Sequence, residues 1–259
     1  MDIEIIPDGP VEVVKLNRPK SLNAFSLEMV DQLLQYFEQL HDREDVRLVV
    51  LMGTGVHFSA GLDLKLFLAG PERFGAHKPG WKFNRLIMHI RECPQPIVAV
   101  LRGAVTGGGL SLAAASDVRV CDTTAKFSAA FVGVGLSGAE LGLSWHLPPI
   151  IGASRATELM MTGRLMLADE ALSCGFVSRV SAPEQLDTVA REIIDQMLRV
   201  SPLGLRTTKQ TLNASREAGS LRTAIEVEER GQILCIQSED FTEGVTAFIE
   251  KREPIYRGT

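Results

Sequence analysis

The sequence predicts an α/β fold that runs on into a C-terminal helical region, and three observations carry that expectation. Short, β-branched apolar runs alternate with helix-period segments over residues 1–182. Only helical patterns remain over residues 183–259. The composition, 45% hydrophobic and 23% charged over 259 residues, is that of an ordinary globular chain long enough to bury a real core.

The runs Val11–Leu16, 48–52, Ile97–Leu101 and 118–121 have the length and residue types of strands. Between the first two, Leu27, Val30, Leu33, Leu34, Phe37 and Leu40 recur at helical spacing, with Asp31, Gln32, Gln35 and Glu38 opposite. Ser26 stands where such a helix needs an N-cap. Gly70, Pro71, Gly75, Pro79 and Gly80 make 69–80 a surface loop. Cys93-Pro94-Gln95-Pro96 forces extended backbone before the third strand. Only Arg102, Asp117, Arg119, Asp122 and Lys126 are charged in 97–139, which marks it as the buried heart of the chain.

Four helices follow, at Leu186–Leu198, 202–214, Leu221–Ile236 and 240–251. Four in succession cannot extend a parallel sheet, so 183–259 reads as an appendage to a core of 1–182. Its apolar positions, such as Ile225, Ile233, Leu234, Val245 and Phe248, need partners on the core or on another subunit.

Several functions are excluded. Lys and Arg number 27 against 32 Asp and Glu, a net charge of −5, so no nucleic-acid-binding face is expected. No apolar run reaches the ~18 residues of a membrane span. Asp2, Glu4 and Asp8 are unlike the cationic start of a secretory signal. Cys93, Cys121, Cys174 and Cys235 form no C-x-x-C pair and read as reduced thiols, with the cytoplasm as the expected compartment. The five histidines share no i, i+4 spacing, so no metal site is expected.

Chemistry concentrates at glycine turns. Gly107-Gly108-Gly109 follows the Ile97–Leu101 strand and leads into Leu110-Ser111-Leu112-Ala113-Ala114-Ala115, a small-residue helix. A helix N-terminus with no side chain in the way offers free backbone N–H groups to a phosphate or a developing oxyanion. A tight structural turn explains the triplet as well. Phe58-Ser59-Ala60-Gly61-Leu62-Asp63-Leu64 also follows a strand and offers a second such turn. Glu140 is the first acidic residue after a long uncharged stretch, where burial would raise its pKa towards proton-transfer use; a helix-start carboxylate is the alternative.

Two rival motifs are weaker. Gly133-Val134-Gly135-Leu136-Ser137-Gly138 fits a dinucleotide fingerprint but does not open a helix pattern. Gly109-Leu110-Ser111-Leu112-Ala113 approaches a hydrolase elbow without its last glycine, with His146 the nearest candidate base.

Taken in order, these segments resemble the enoyl-CoA hydratase/isomerase (crotonase) superfamily. The match runs through Asn17-Arg18-Pro19-Lys20-Ser21-Leu22-Asn23-Ala24, 58–65, 96–117, 147–152, 159–177 and 243–252. The resemblance implies a crotonase-like spiral of ββα turns whose C-terminal helices assemble trimers, or hexamers made of two trimers. It implies an acyl-CoA substrate, with coenzyme A entering as part of that substrate and no permanently bound cofactor. It assigns the oxyanion-hole N–H groups to Leu62 and Gly108 and places Ala60, Asp63 and Leu64 at the coenzyme A site; Lys20, Lys65, Lys251 and Arg252 are the candidate cations for its phosphates, with solvated surface charge as the alternative for each.

The chain departs from the two-glutamate hydratases of the family. Ser111 and Phe131 stand where their carboxylates would be. Glu140 matches the acidic position that similar dienoyl-CoA isomerases use for proton transfer. The expectation is therefore an enoyl-CoA isomerase or hydratase with Glu140 as acid/base. An acyl-CoA-binding member without hydration chemistry and a thioester hydrolase using Ser111 are the alternatives.

Overall fold

The computed structural model describes residues 1–70, 72 and 82–258. Its main sheet contains β1 (Ile3–Asp8), β2 (Val11–Leu16), β3 (Leu48–Gly53), β4 (Ile97–Leu101), β6 (Val118–Asp122) and β9 (Arg179–Ser181), adjacent in that order. Only β1 and β2 are antiparallel; the other neighbours are parallel. A second sheet holds β5 (Ala104–Thr106), β7 (Lys126–Ser128) and β8 (Met166–Leu167). The chain passes from β4 to β5 and then into α4 (Gly108–Ala115), and from β6 to β7 and then into a 3-10 turn at Ala130–Val134. Each circuit visits the main sheet, the small sheet and a helical segment, which makes the ββα spiral.

Burial alternates along the strands as a two-sided sheet requires. Val49 and Leu51 of β3, with Ile97, Ala99 and Leu101 of β4, face the larger apolar cluster. Leu48 and Val50, with Val98 and Val100, face the smaller one. The large cluster is covered by α1 (Leu27–Leu40), whose first turn is capped by Ser26: its Oγ accepts from Met29 N at 3.0 Å.

The smaller cluster is covered by α8 (Leu186–Leu198) through Leu186, Ala190 and Ile194, one stripe at i, i+4, i+8. The helical region expected from residue 183 thus begins with a helix packed on the sheet. α8 is a layer of the core, and the outlying helices are α9 (Pro202–Glu217), α10 (Leu221–Ile236) and α11 (Glu239–Glu250). α9 is fastened by Lys209, only 5% exposed. Its ammonium donates to Ile90 O (3.1 Å) and Gln95 O (2.9 Å) and pairs with Asp117 at 2.9 Å. Farther out, Ile233, Phe248 and Ile249 are 54%, 85% and 72% exposed.

Candidate active site

The first turn of the site is built by a polar latch. Leu22 and Asn23 both adopt left-handed backbone, with φ of 52° and 53°. Asn23 is fully buried and satisfies three main-chain groups: its Oδ1 accepts from Arg18 N, and its Nδ2 donates to Thr54 O and His57 O. Ala60 N donates to Leu22 O at 2.9 Å, and Ser59 Oγ donates to Asn23 O at 2.8 Å. Arg18 reaches across to Asp63 at 3.0 Å. The Asn17–Ala24 motif thus holds 59–63 in place, a role that sequence alone did not reveal, since its partners are backbone carbonyls far along the chain.

Within that segment Leu62 pairs with Phe25 as a parallel bridge. Phe25 N donates to Gly61 O (2.7 Å) and Asp63 N donates to Phe25 O (3.1 Å). In such a ladder the residue between those two bonds turns its own N–H the other way. Leu62 N–H therefore has no backbone acceptor among the described residues.

The second turn sits at the end of β5. Gly107 takes φ 54° and ψ −123°, a region open to glycine, and its N–H donates to Ser128 O at 2.9 Å. Gly108 is the first residue of α4, so its N–H is one of the four that a helix leaves unpaired, at the positive end of the helix dipole. The two turns touch. A Cβ on Gly61, itself at φ +89°, would stand 3.0 Å from Gly108 N and 2.8 Å from Thr106 O.

Both turns open on a cavity of about 580 Å³, a usual size for a small-molecule site. Ala60, Leu62, Leu64, Gly107 and Gly108 form one wall; Phe67, Phe83, Phe131, Val134, Leu136 and Leu141 make the rest largely apolar. The ring of Phe131 lies 3.8 Å from the position a Cβ on Gly107 would take. Glu140 is the one carboxylate among the described lining residues, and Asn84 adds a polar group that the sequence did not single out. Glu140 lies outside any helix, in the loop before α5 (Leu143–Ile151), and its carbonyl accepts from Leu143 N at 3.1 Å. The next residue, Leu141, is 4% exposed and held at φ 52°, an uncommon conformation for a side chain of its size.

Other predicted site residues lie elsewhere. Ser111 is fully buried inside α4, and its hydroxyl turns back to Gly107 O at 3.5 Å. It is not among the described residues lining the cavity, and no hydrogen bond joins it to His146 among the described residues, so no Ser–His pair is formed. Asp63 caps α2 (Leu64–Ala69), its Oδ1 accepting from Leu66 N at 3.3 Å, besides holding Arg18. Lys20 and Lys65 are exposed, on the 3-10 turn Pro19–Ser21 and on α2. Lys251 ends α11, which contributes no residue to the cavity, and Arg252 is engaged with Glu243 (2.6 Å) and Glu250 (2.7 Å). The 133–138 glycine pattern begins inside the 3-10 turn Ala130–Val134 and opens no helix, which removes the dinucleotide reading. Most of the loop expected at 69–80 lies outside the described residues.

A family model described as enoyl-CoA hydratase/isomerase matches residues 8–259. The chain belongs to this family. It is 36% identical to a probable enoyl-CoA hydratase of Mycobacterium tuberculosis over 257 residues, covering 96% of this chain and 90% of that one. It is 32% identical to the 1,2-epoxyphenylacetyl-CoA isomerase of Escherichia coli over 259 residues, covering 96% and 95%. The crystal structure of an enoyl-CoA hydratase from Bacillus anthracis superposes with a TM-score of 0.93 at 28% identity, covering all of both chains. The crotonase fold and an acyl-CoA enzyme family are thereby established for this chain.

Proposed function

We propose that this family member isomerises an unsaturated acyl-CoA, with the thioester carbonyl held by the N–H groups of Leu62 and Gly108 and the proton moved by Glu140. The observation that carries this reading is the meeting of two turns, distant in the chain, at a cavity whose described lining has a single carboxylate. Removing a proton next to a thioester carbonyl puts negative charge on its oxygen. Two donors fixed beforehand stabilise that charge without reorganising, which is where most of the catalytic benefit arises. Glu140 accepts the proton from one carbon as its carboxylate becomes the acid. It returns the proton to another carbon of the dienolate, so the double bond moves and no water is consumed.

Hydration is the less favoured reading. It needs a second group to orient and activate water, and the two positions at issue hold a hydroxyl sealed inside α4 and the ring of Phe131. Hydrolysis through Ser111 is disfavoured by the same burial. For the coenzyme A arm, Lys20 and Lys65 suit phosphate contacts better than Arg252, which is already paired. Lys251 would reach a site only from a neighbouring subunit, which suits a homotrimer or homohexamer joined by the apolar faces of α10 and α11. The four free cysteines suit a reducing compartment such as the cytoplasm.

Glu140→Gln tests the assignment. Isomerisation of a 3-enoyl-CoA should fall about 10²–10⁴-fold with little change in KM or in melting temperature. Turnover that survives the substitution refutes it. Crotonyl-CoA hydration by the unaltered enzyme should stay well below its isomerase rate.

A further inference from the structure

Phe25 touches both turns of the site, one with its main chain and the other with its ring. Its main chain flanks Leu62: Phe25 N donates to Gly61 O at 2.7 Å, and Phe25 O accepts from Asp63 N at 3.1 Å. Bonds on either side of one residue fix the peptide planes between them, so they set where Leu62 N–H points. The ring reaches the other turn. A Cβ on Gly108 would stand 3.4 Å from Phe25 Cε2 and 2.9 Å from Cε1 and Cζ of Phe83. Phe83 belongs to α3 (Lys82–Glu92) and meets Phe25 edge-on, with ring centroids 4.7 Å apart at 76°. Both phenylalanines are buried.

Side chains in a close-packed interior interlock, so a neighbour that is removed frees whatever rested on it. The two rings fill the space against Gly108, the residue whose N–H opens α4. Arg18 braces the same arrangement from the other side: its Nη1 donates to Ala24 O at 2.5 Å while Nη2 holds Asp63, so one guanidinium spans the Phe25–Leu62 bridge. Phe25 is not among the described residues lining the acyl cavity. Whatever it does to a bound thioester therefore passes through the two turns.

We propose that Phe25 is a positioning residue for both oxyanion donors: its backbone aims the Leu62 N–H, and its ring, backed by Phe83, keeps the Gly108 turn pressed towards it. This role rests on the reading that those two amides hold the thioester carbonyl. Removing the ring leaves the backbone bonds of residue 25 in place and gives the Gly108 turn room to relax, so the second donor loses its aim while the described cavity lining keeps its residues.

The test uses the full chain carrying Glu140→Gln, so that proton transfer does not enter the readout, with cinnamoyl-CoA as the probe. Donors on its carbonyl oxygen draw charge along the conjugated acyl group and move its absorption to the red. Adding Phe25→Leu should remove about half of that red shift or more, with the dissociation constant changed by less than about threefold. Phe25→Met keeps more of the volume, should lose less of the shift, and carries the test if the leucine variant does not fold. Phe37→Leu, at another fully buried phenylalanine of the core, should lower the melting temperature similarly and leave the shift whole. With Glu140 restored, Phe25→Leu should lower kcat for a 3-enoyl-CoA by about 10–10²-fold with little change in KM. An undiminished red shift in the Phe25 variants, or an equal loss in Phe37→Leu, would overturn the positioning role and leave the two-amide reading standing. Absence of any red shift with Phe25 in place would overturn the two-amide reading, and the positioning role with it.

Discussion

Gly61 and Gly108, separated by most of the β3-to-α4 connection, lie so close that a methyl group on the first would press on the amide nitrogen of the second. The contact sets the spacing between the two N–H groups assigned to the thioester oxygen. It explains why this position needs a residue without a side chain, apart from its backbone angle.

Gly61→Ala should therefore damage catalysis through geometry. At φ +89° alanine is strained, and its Cβ would meet Thr106 O at 2.8 Å, so one turn must shift. Displacing one oxyanion donor typically costs about 10²–10³-fold in kcat. Steady-state kinetics with a 3-enoyl-CoA, alongside circular dichroism to show a folded chain, check this. An alanine variant with unchanged kcat would mean that the two turns do not act together.

Ser111→Ala should do almost nothing to turnover. Its hydroxyl makes one long bond to the preceding turn of its own helix and has no access to the cavity. The expected change is within about twofold in kcat/KM and under ~1 kcal/mol in stability. A loss of turnover on this substitution alone would revive hydrolysis as the reaction.

Lys209→Met should destabilise the chain strongly. The ammonium is buried, bonded to two carbonyls and paired with Asp117. Removing it leaves Asp117 and those carbonyls short of a donor, and breaking a buried pair in this way typically costs about 3–5 kcal/mol. Urea denaturation of the two chains gives the difference. The double variant Lys209→Met, Asp117→Asn should recover part of it.

Stability should fall as pH is lowered through the range set by His146. Its folded pKa is depressed from 6.5 to about 4, so between those values the unfolded chain binds the extra proton. Unfolding then takes up protons, and the folded state weakens as pH drops from about 6.5 towards 4. The full effect of such a shift is of order 3 kcal/mol. Comparing urea midpoints at pH 7.5 and 5 for the unaltered chain and for His146→Gln isolates it. The variant should lose that part of the pH dependence, and an equal slope in both would remove His146 as the cause.

Much of the fold could be read from residue patterns, and the failures have physical causes. β2, β3, β4, β6 and α1 announce themselves through their own β-branched or 3.6-period residues. β5, β7, β8 and β9 span two or three residues each, and their pairing is set by register with distant strands. β1 was missed because Glu4, Pro7 and Asp8 disguise a strand that pairs only with β2 at the sheet edge. At the site, Gly107-Gly108-Gly109 and the 58–64 turn are legible as sources of free amides, but their approach to one another is a tertiary fact. The work of Arg18 and Asn23 is equally hidden, since nothing nearby in sequence says which carbonyls they bind. His146 reads as an unremarkable histidine until its burial and missing partner are seen.

Both amides assigned to the thioester oxygen belong to the main chain, and that has a genetic consequence. Of the twenty residues, proline alone would delete the donor at position 62; every other codon leaves it intact. The side chain there, part of the cavity wall, is free to drift and re-fit the acyl group while the reactive apparatus survives. Such an arrangement lets a lineage explore new substrates by ordinary point mutation without first losing its chemistry.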